Sequence, residues 1–538
     1  MTITATLVSI LSISILLIPP AVASKYHPVT GEKLADIQTF TYNIFSEPPS
    51  IDPQLVEDVT GNEISHDLFE GLLNQKHDGT LVPGVAKRWE VNDSKTIYTF
   101  YLRKNAKWSN GESVTAYDFE YAWKRSVNPQ LASTQAGYME SMSVRNAAEI
   151  KKGEKNFSEL AVKALDDYTF QVELTSPISY FTSMLTASTT MPAHRKTIET
   201  FGDKWTKPGN MVGNGAYVLQ QHVLNERLVR VRNPFYWDNK KTIINKVIAL
   251  SINDSNQAYN RYQANELDKS DIPTGQFKNL KKSKPDEVHS NPLLCSYYLY
   301  FNVEKPPFDD IRVRQALSYA IDRNIITDII LGSGQTPAYT FTPTTTANFI
   351  VPELKYAKMT QEQRFKKAKA LLVEAGFNQN NPLTATILYN TSEGHKKIAI
   401  AISQIWKQKL GVKARLENQE WKTFLISRTQ GDFEIARAGW CGYYNEASAF
   451  LNSMRSDSKY NDSNYNNPEI DRLMLEAKSV DNPNNNYTKV EQILAQEFPI
   501  APIYHYSSVL LLKPYVKGWP FKNIQNTWYS KNLYITAH

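Results

Sequence analysis

The sequence predicts an α/β protein, because stretches with the period of a strand alternate with stretches with the period of a helix. Two further observations support this class. The chain has 538 residues, enough for roughly two or three domains, and 41% of them are hydrophobic, as in globular proteins. Neither a low-complexity linker nor an internal repeat divides the chain.

The alternation is clearest between residues 383 and 437. We predict strands over 383–389, 412–416 and 433–437, and helices over 395–410 and 421–428. Strands connected by helices in this way run parallel, and open α/β sheets bind ligands beyond the carboxyl ends of their strands. We therefore expect His395, Trp421 and the run from Arg437 to Cys441 to lie together at that edge.

The residue types at this edge indicate a site for a carboxylate. His395 falls in the first turn of its helix, where free N–H groups and the helix dipole attract an anion. Arg437 supplies a guanidinium fork, Arg428 adds to the positive field, and Gly439 lets a ligand backbone approach closely. On the residues alone, a surface histidine and a structural ion pair remain the alternatives for His395 and Arg437.

The composition argues against several other classes of function. The 60 basic and 54 acidic residues give a diffuse net charge of +6, so we expect no nucleic-acid partner. No H-E-x-x-H, G-x-S-x-G or G-x-x-x-x-G-K-[ST] motif occurs, and the nine histidines show no metal-ligand spacing. We expect neither an enzyme nor a metal or cofactor, although a catalytic triad built from distant residues stays open.

The N-terminus has the pattern of a cleavable signal peptide. An apolar run over residues 7–18 is followed by Pro19-Pro20 and by Ala21-Val22-Ala23, so we predict a signal over residues 1–23. No Lys or Arg precedes the run, and no cysteine at the cleavage site offers a point for lipid attachment. We therefore expect export without a lipid anchor.

Short motifs spread along the chain are shared with a known family. They include Asp67-Leu68-Phe69-Glu70-Gly71-Leu72, Asn214-Gly215-Ala216-Tyr217, Lys305-Pro306-Pro307-Phe308, Asn418-Gln419-Glu420-Trp421-Lys422-Thr423 and Arg437-Ala438-Gly439-Trp440-Cys441. In these motifs the chain resembles the periplasmic oligopeptide-binding proteins of ABC importers, in the class II solute-binding protein superfamily. One subgroup of that family binds murein peptides. The resemblance covers nearly the whole chain after the predicted signal.

The resemblance implies two lobes that close over a ligand by a hinge, with an extra third domain. Domain I would comprise residues 24–69, 195–294 and 508–538, domain II residues 70–194, and domain III residues 295–507. A disulfide between Cys295 and Cys441 is also implied, whereas the residues alone leave open whether the two cysteines pair or stay free. The implied location is the periplasm, and the implied partners are an oligopeptide or peptide-like ligand and the membrane permease of an importer. The sequence does not determine the oligomeric state, and we expect a monomer by default.

The resemblance also assigns roles to individual positions. It implies main-chain contacts to the ligand for Glu57 and Val59 on one lobe and Gly439 and Cys441 on the other, carboxylate contacts for His395 and Arg437, and side-chain pockets for Arg428, Trp421, Trp440, Tyr298 and Tyr506. These assignments agree with the carboxylate site that the strand ends predict.

One position departs from the family pattern. Where the family has an aspartate that holds the ligand's ammonium group, this chain has Tyr443. A phenol supplies no charge at neutral pH, and a buried ammonium without a counter-charge costs several kcal/mol. We expect the ligand's amino end to be blocked, absent, placed elsewhere or paired with Glu57 or Glu446, with weaker binding of ordinary peptides as the alternative.

A chaperone-like holdase and an unrecognised peptidase remain rival functions.

Overall fold

The structure, a computed structural model, describes residues 25–480 and 482–538, and the predicted signal over residues 1–23 lies outside them. Its strands are β1 (Thr39–Asn43), β2 (Leu73–Gln75), β3 (Leu81–Pro83), β4 (Ala86–Val91), β5 (Ile97–Leu102), β6 (Val162–Asp166), β7 (Thr169–Glu173), β8 (Tyr217–Val223), β9 (Arg227–Arg232), β10 (Lys246–Leu250), β11 (Lys269–Asp271), β12 (Val288–Phe301), β13 (Thr336–Pro337), β14 (Thr384–Asn390), β15 (Lys413–Gln419), β16 (Ile435–Cys441), β17 (Ile500–Leu512), β18 (Val516–Lys517) and β19 (Tyr534–Ile535).

Helices are interspersed with these strands, which confirms the α/β class. They are α1 (Val59–Leu68), α2 (Ala116–Ser126), α3 (Ala136–Ser141), α4 (Ala147–Lys151), α5 (Phe181–Met184), α6 (Arg195–Phe201), α7 (Ser255–Gln263), α8 (Phe277–Ser283), α9 (Ile311–Tyr319), α10 (Lys355–Lys358), α11 (Gln361–Glu374), α12 (Glu393–Leu410), α13 (Trp421–Thr429), α14 (Ser448–Leu451), α15 (Pro468–Ala477) and α16 (Asn484–Glu497). Within the described residues, none of the helices has the length and apolarity that crossing a membrane requires.

The largest sheet of the described region has eleven strands, in the order β15-β14-β16-β12-β17-β11-β1-β10-β9-β8 with β13 paired to β17. The long strands β12 and β17 are antiparallel and lie in its middle. They connect β14, β15 and β16 on one side with β1 and β8 to β11 on the other. A separate antiparallel sheet has the order β4-β5-β7-β6.

The predicted domain limits fall at identifiable places in these sheets. The sheet of β4 to β7 lies inside residues 70–194, the predicted domain II. The limits at 294/295 and 507/508 fall within β12 and β17, and the register of this strand pair shifts between Pro292 and Ser296. The division into three domains and the hinge between two lobes stay predictions.

The predicted succession of strand, helix, strand, helix and strand is confirmed as β14, α12, β15, α13 and β16. β14 pairs in parallel with both β15 and β16. Ser392 caps α12 by accepting a hydrogen bond from the His395 N–H, and Gly411 ends that helix with a φ of 74°. The predicted end of β16 at Arg437 is wrong, because pairing with β12 continues the strand to Cys441.

A disulfide and a helical layer hold this part of the sheet together. The bond implied by the resemblance is present between Cys295 on β12 and Cys441 on β16, which are direct partners in the antiparallel register. On one face of these strands, α9, α11 and α12 bury Leu317, Leu371 and Trp406 in a common core. The Trp406 Nε1–H donates to the Leu317 carbonyl at 3.0 Å, so the largest side chain of this core is also hydrogen-bonded.

Candidate ligand-binding site

A cavity of about 520 Å³ lies where segments from distant parts of the chain meet. Sites for small ligands typically have volumes of roughly 300–1,000 Å³. Every predicted site residue except Tyr298 lines this cavity, together with Cys295: Glu57, Val59, His395, Trp421, Arg428, Arg437, Gly439, Trp440, Cys441, Tyr443 and Tyr506. The sequence therefore identified residues that the fold brings together, and their contacts with a ligand stay predictions.

Tyr298 does not line the cavity, and its contact with a ligand stays a prediction. Successive side chains of a strand point to opposite faces. Its neighbour Tyr297 does not line the cavity either, but its ring centroid lies 5.4 Å from Cζ of Arg437 and 5.6 Å from the His395 ring. Tyr298 is turned the other way and fully buried, and its hydroxyl donates to the hydroxyl of Tyr300 at 3.1 Å.

One wall of the cavity carries a buried cation without an ion-pair partner. Arg437 is only 8% exposed, and no carboxylate of the described residues lies within ion-pair distance of it. Burial, together with the adjacent Arg437 charge, holds the pKa of His395 well below its usual range, so this ring is neutral at neutral pH. The His395 Nδ1 is buried and has no hydrogen-bond partner in the described chain. The wall thus offers a ligand one positive charge and one neutral imidazole.

Arg428 differs from Arg437 because its charge is already paired. Its Nε lies 2.5 Å from Oδ2 of Asp462, and both side chains are largely buried. Arg428 lines the cavity, but Asp462 offsets the contribution to the positive field that the sequence predicted for it. The expected positive field therefore comes from Arg437.

β16 presents a free backbone edge next to these groups. β12 pairs with the whole strand on one edge, whereas β14 covers the other edge only at its first two residues. The Gly442 N–H donates to Leu294 on the β12 side. Because the direction of N–H and C=O groups alternates along a strand, those of Gly439 and Cys441 point to the open edge. A Cβ at Gly439 would lie 3.0 Å from the Tyr506 hydroxyl, so glycine leaves room for Tyr506 in the lining.

Another part of the lining carries two acids that form no ion pair with the described residues. Asp58 caps α1 by accepting from the Gly61 N–H at 2.8 Å, and it accepts from Nε1 of Trp421 at 3.0 Å. Burial raises the pKa of Asp58 to about 6 and also raises the pKa of Glu57. Tyr443 lies within the field of both acids, and its pKa is raised to about 12, chiefly by burial. The phenol is therefore neutral where the family pattern has a carboxylate.

Glu446, the other acid considered for the ligand's amino end, does not reach the cavity. It is buried elsewhere, where it accepts a hydrogen bond from the Ser448 N–H at 2.7 Å. Of the two acids, only Glu57 lines the cavity.

The comparisons with known proteins identify the family of this chain. Residues 80–462 match the family described as "Bacterial extracellular solute-binding proteins, family 5 Middle". The chain belongs to this family.

Relatives of this family 5 protein have several named ligands. It is 46% identical over 527 residues to the periplasmic oligopeptide-binding protein OppA of Salmonella typhimurium, covering 97% of each chain. The structure of the Escherichia coli murein tripeptide binding protein MppA matches with a TM-score of 0.92 at 42% identity, covering 94% of this chain and 100% of that one. The probable deoxycholate-binding periplasmic protein YgiS of Escherichia coli is 42% identical over 508 residues, covering 94% and 95%. The class II binding-protein fold is thereby confirmed.

Sequence analysis missed several lining residues of the family 5 protein, among them Asp58, His66, Tyr460, Asp462 and the segment 525–527. Only Asp58 had a local signal, since it has the side chain of an N-cap immediately before a helix. The segment 525–527 reaches the cavity from the far end of the chain, and no pattern within it indicates that position.

Proposed function

We propose that this family 5 protein is a periplasmic binding protein that captures an oligopeptide or peptide-like ligand between two lobes and delivers it to the permease of an ABC importer. The observation that carries the proposal is the buried, unpaired guanidinium of Arg437 in the lining of the cavity of about 520 Å³. An uncompensated buried charge is costly. A ligand carboxylate would supply the missing counter-charge.

The rest of the lining suits a peptide. The open edge at Gly439 and Cys441 matches an extended main chain, which adds to a sheet edge through backbone hydrogen bonds. Trp421, Trp440 and Tyr506 provide flat apolar walls with polar tips for ligand side chains. The names of the OppA and MppA relatives support the same ligand class.

Export, hinge closure and a binding role without catalysis complete the proposal. The signal over residues 1–23, its cleavage and the lack of a lipid anchor rest on the sequence pattern and on relatives named periplasmic. The three-domain division is supported by β12 and β17, the two strands that connect the two sides of the large sheet. Bending of these strands would open the cavity.

The handling of the ligand's amino end is the finer part of the proposal. Glu57 and Asp58 are the acids closest to Tyr443 in electrostatic terms, and neither forms an ion pair within the described residues. An ammonium group beside them would gain the counter-charge that position 443 does not supply. Deoxycholate, named for the YgiS relative, has a carboxylate but no ammonium group, and therefore represents the alternative kind of ligand.

Isothermal titration calorimetry, with protein freed of co-purified ligand, tests both parts. Alanine tri-, tetra- and pentapeptides should bind with one-to-one stoichiometry. N-acetylated forms should bind about tenfold more weakly, because a hydrogen bond to a charged group contributes roughly 1.5–3 kcal/mol. Deoxycholate should bind more weakly than the free peptides. Absence of binding by every peptide would contradict the function, whereas equal affinity for free and acetylated peptides would contradict only the amino-end assignment.

Two variants and a control sharpen this assignment. Glu57→Gln should reduce the preference for a free amino end, with Asp58 as the acid that remains. Glu393→Gln should leave it unchanged, because Glu393 lies at the start of α12 outside the lining and only approaches Lys396. Tyr443→Asp should strengthen binding of free-amino peptides by adding a carboxylate, and no gain in affinity would count against the assignment.

A further inference from the structure

A second cavity of about 70 Å³, the side chamber, adjoins the main cavity. The two cavities share Thr134, Trp440, Tyr443, Lys459 and Tyr460 as lining residues. The rings of Trp440 and Tyr460 meet edge to face, with centroids 4.9 Å apart. The shared residues form the wall between the two cavities, so a ligand side chain that crosses this wall enters the side chamber.

Four charged side chains of the side chamber are paired with one another. Nζ of Lys151 lies 3.0 Å from Glu140 and 3.0 Å from Asp457. Nη2 of Arg455 lies 3.1 Å from Glu140 and 2.9 Å from Asp457. Two cations and two anions therefore offset each other, and Lys459, on the shared wall, is exposed to solvent. Both cations of the interior therefore have counter-charges already, and the Nε of Arg455 is a buried donor without a partner in the described residues.

Asn452 places an uncharged primary amide in the side chamber. It directly follows α14 and lines the chamber. Its Oδ1 and Nδ2 are both buried and have no hydrogen-bond partner among the described residues. Leaving a buried polar group unpaired costs roughly 1–3 kcal/mol. The side chain presents an acceptor and a donor together, and a second primary amide carries the complementary pair.

We propose that the side chamber is a subsite for an uncharged side chain of the ligand that ends in a carboxamide, with Asn452 as the residue that determines this specificity. The inference rests on the proposed function and deepens it by naming a class of ligand side chain. A chamber of about 70 Å³ admits the end of a side chain, so the ligand backbone stays in the main cavity.

The chemistry of the chamber disfavours a carboxylate and a hydrocarbon end, the two groups that most resemble a carboxamide in shape. A carboxylate has no donor for Oδ1 of Asn452, and it would lose its hydration beside two cations that are already paired with Glu140 and Asp457. A hydrocarbon end of the same size would leave both amide atoms of Asn452 unpaired. A carboxamide satisfies both atoms and brings no charge.

Calorimetry with a peptide scan tests the inference. In the alanine peptide that binds best, each position in turn is changed to Gln, to Glu or to Met, which has nearly the length of Gln but cannot form the two hydrogen bonds. At one position, the wild-type protein should bind the Gln peptide about tenfold more tightly than the Met peptide and more tightly than the Glu peptide. If no position shows a preference for Gln, the inference is wrong.

An Asn452→Leu variant tests the role of the residue itself. It should bind the all-alanine parent as the wild type does but should lose the preference for Gln, whereas Asn380→Leu, on an exposed loop, should retain it. Retention of the preference in Asn452→Leu would overturn the assignment to Asn452, and Asn452→Ser serves if the leucine variant does not fold. Failure of the all-alanine parent to bind the wild type would instead contradict the proposed function.

Discussion

Two buried guanidinium groups of the same large sheet have opposite surroundings. Arg230 on β9 is fully buried, and its Nη1 lies 2.8 Å from Oδ2 of Asp67 while its Nη2 donates to the Tyr42 hydroxyl at 2.9 Å. Arg437 on β16 is 8% exposed, and its near neighbours are the uncharged rings of Tyr297 and His395. The first charge is satisfied within the fold, and the second faces a cavity.

This difference separates a structural charge from a functional one. Breaking a buried pair leaves a charge uncompensated and is costly, whereas a buried charge that has no partner is already uncompensated before any mutation. The described fold therefore gains no ion pair from Arg437, and such a pair forms only when a carboxylate enters the cavity. Arg428, paired with Asp462 in the lining, belongs with Arg230 in this comparison.

The largest change in stability is expected from breaking the buried ion pair between Arg230 and Asp67. Asp67→Asn should lower the free energy of unfolding by about 3–5 kcal/mol, because it leaves the Arg230 charge buried without its partner. Urea unfolding followed by circular dichroism measures this change. Glu469→Gln, which removes one partner of the exposed pair with Arg472, is the control and should change stability by less than about 1 kcal/mol. A loss of less than that amount in Asp67→Asn would show that the two pairs do not differ as claimed.

A smaller effect on stability and a clear effect on binding are expected at the unpaired charge. Arg437→Met should leave the free energy of unfolding unchanged or raise it, since it removes a buried charge that has no partner. Its affinity for peptides should fall about 100-fold, since truncating one member of a buried ion pair costs roughly 2–5 kcal/mol. Thermal unfolding without ligand and calorimetry with ligand separate the two effects. A large loss of stability in Arg437→Met would place this residue with Arg230.

The smallest effect is expected from a change of pH, which should alter the affinity for free-amino peptides. Because the pKa of Asp58 is raised to about 6, affinity for free-amino peptides should fall severalfold as the pH is lowered through 6 and Asp58 becomes neutral. Acetylated peptides should show a flat profile. The groups that act on Asp58 are Glu57, which has a raised pKa too, Lys422 and Tyr443, and the last stays neutral throughout.

The same titration has a defined sign for the stability of the unliganded protein. The folded chain holds the Asp58 proton more tightly than the unfolded chain, whose ordinary pKa is 3.8. Asp58 therefore contributes most below pH 3.8, and its contribution is lost as the pH rises toward 6. The free energy of unfolding of Asp58→Asn should lack this dependence on pH. An unchanged pH profile in that variant would contradict the raised pKa.

Local patterns account for what the sequence predicted well. Each element from β14 to β16 begins within two residues of its predicted start, because side-chain periodicity, the Ser392 cap and the Gly411 stop act within single elements. The end of β16 was missed because its last residues pair with β12, more than 130 residues away in sequence. The partner of Arg428 was missed for the same reason, since Asp462 has no pattern that connects it with α13.

Tyr298 shows where the sequence could not decide how a residue lies relative to the cavity. The resemblance implies a pocket role for Tyr298, which stays a prediction, and the alternation of β12 places the neighbouring Tyr297 beside Arg437 and His395. A shift by one residue in a strand changes the face, and no local pattern in this run of aromatic residues indicates which face is which.

The most direct test of the central claim is a double-mutant cycle between Arg437 and the ligand's carboxylate. Dissociation constants are measured by calorimetry for the best-binding alanine peptide and its C-terminally amidated form, with the wild type and with Arg437→Met. Amidation should weaken binding about 100-fold in the wild type and hardly at all in the variant, because the buried charge pair is then already absent. Equal losses on amidation in both proteins would show that Arg437 does not receive the carboxylate.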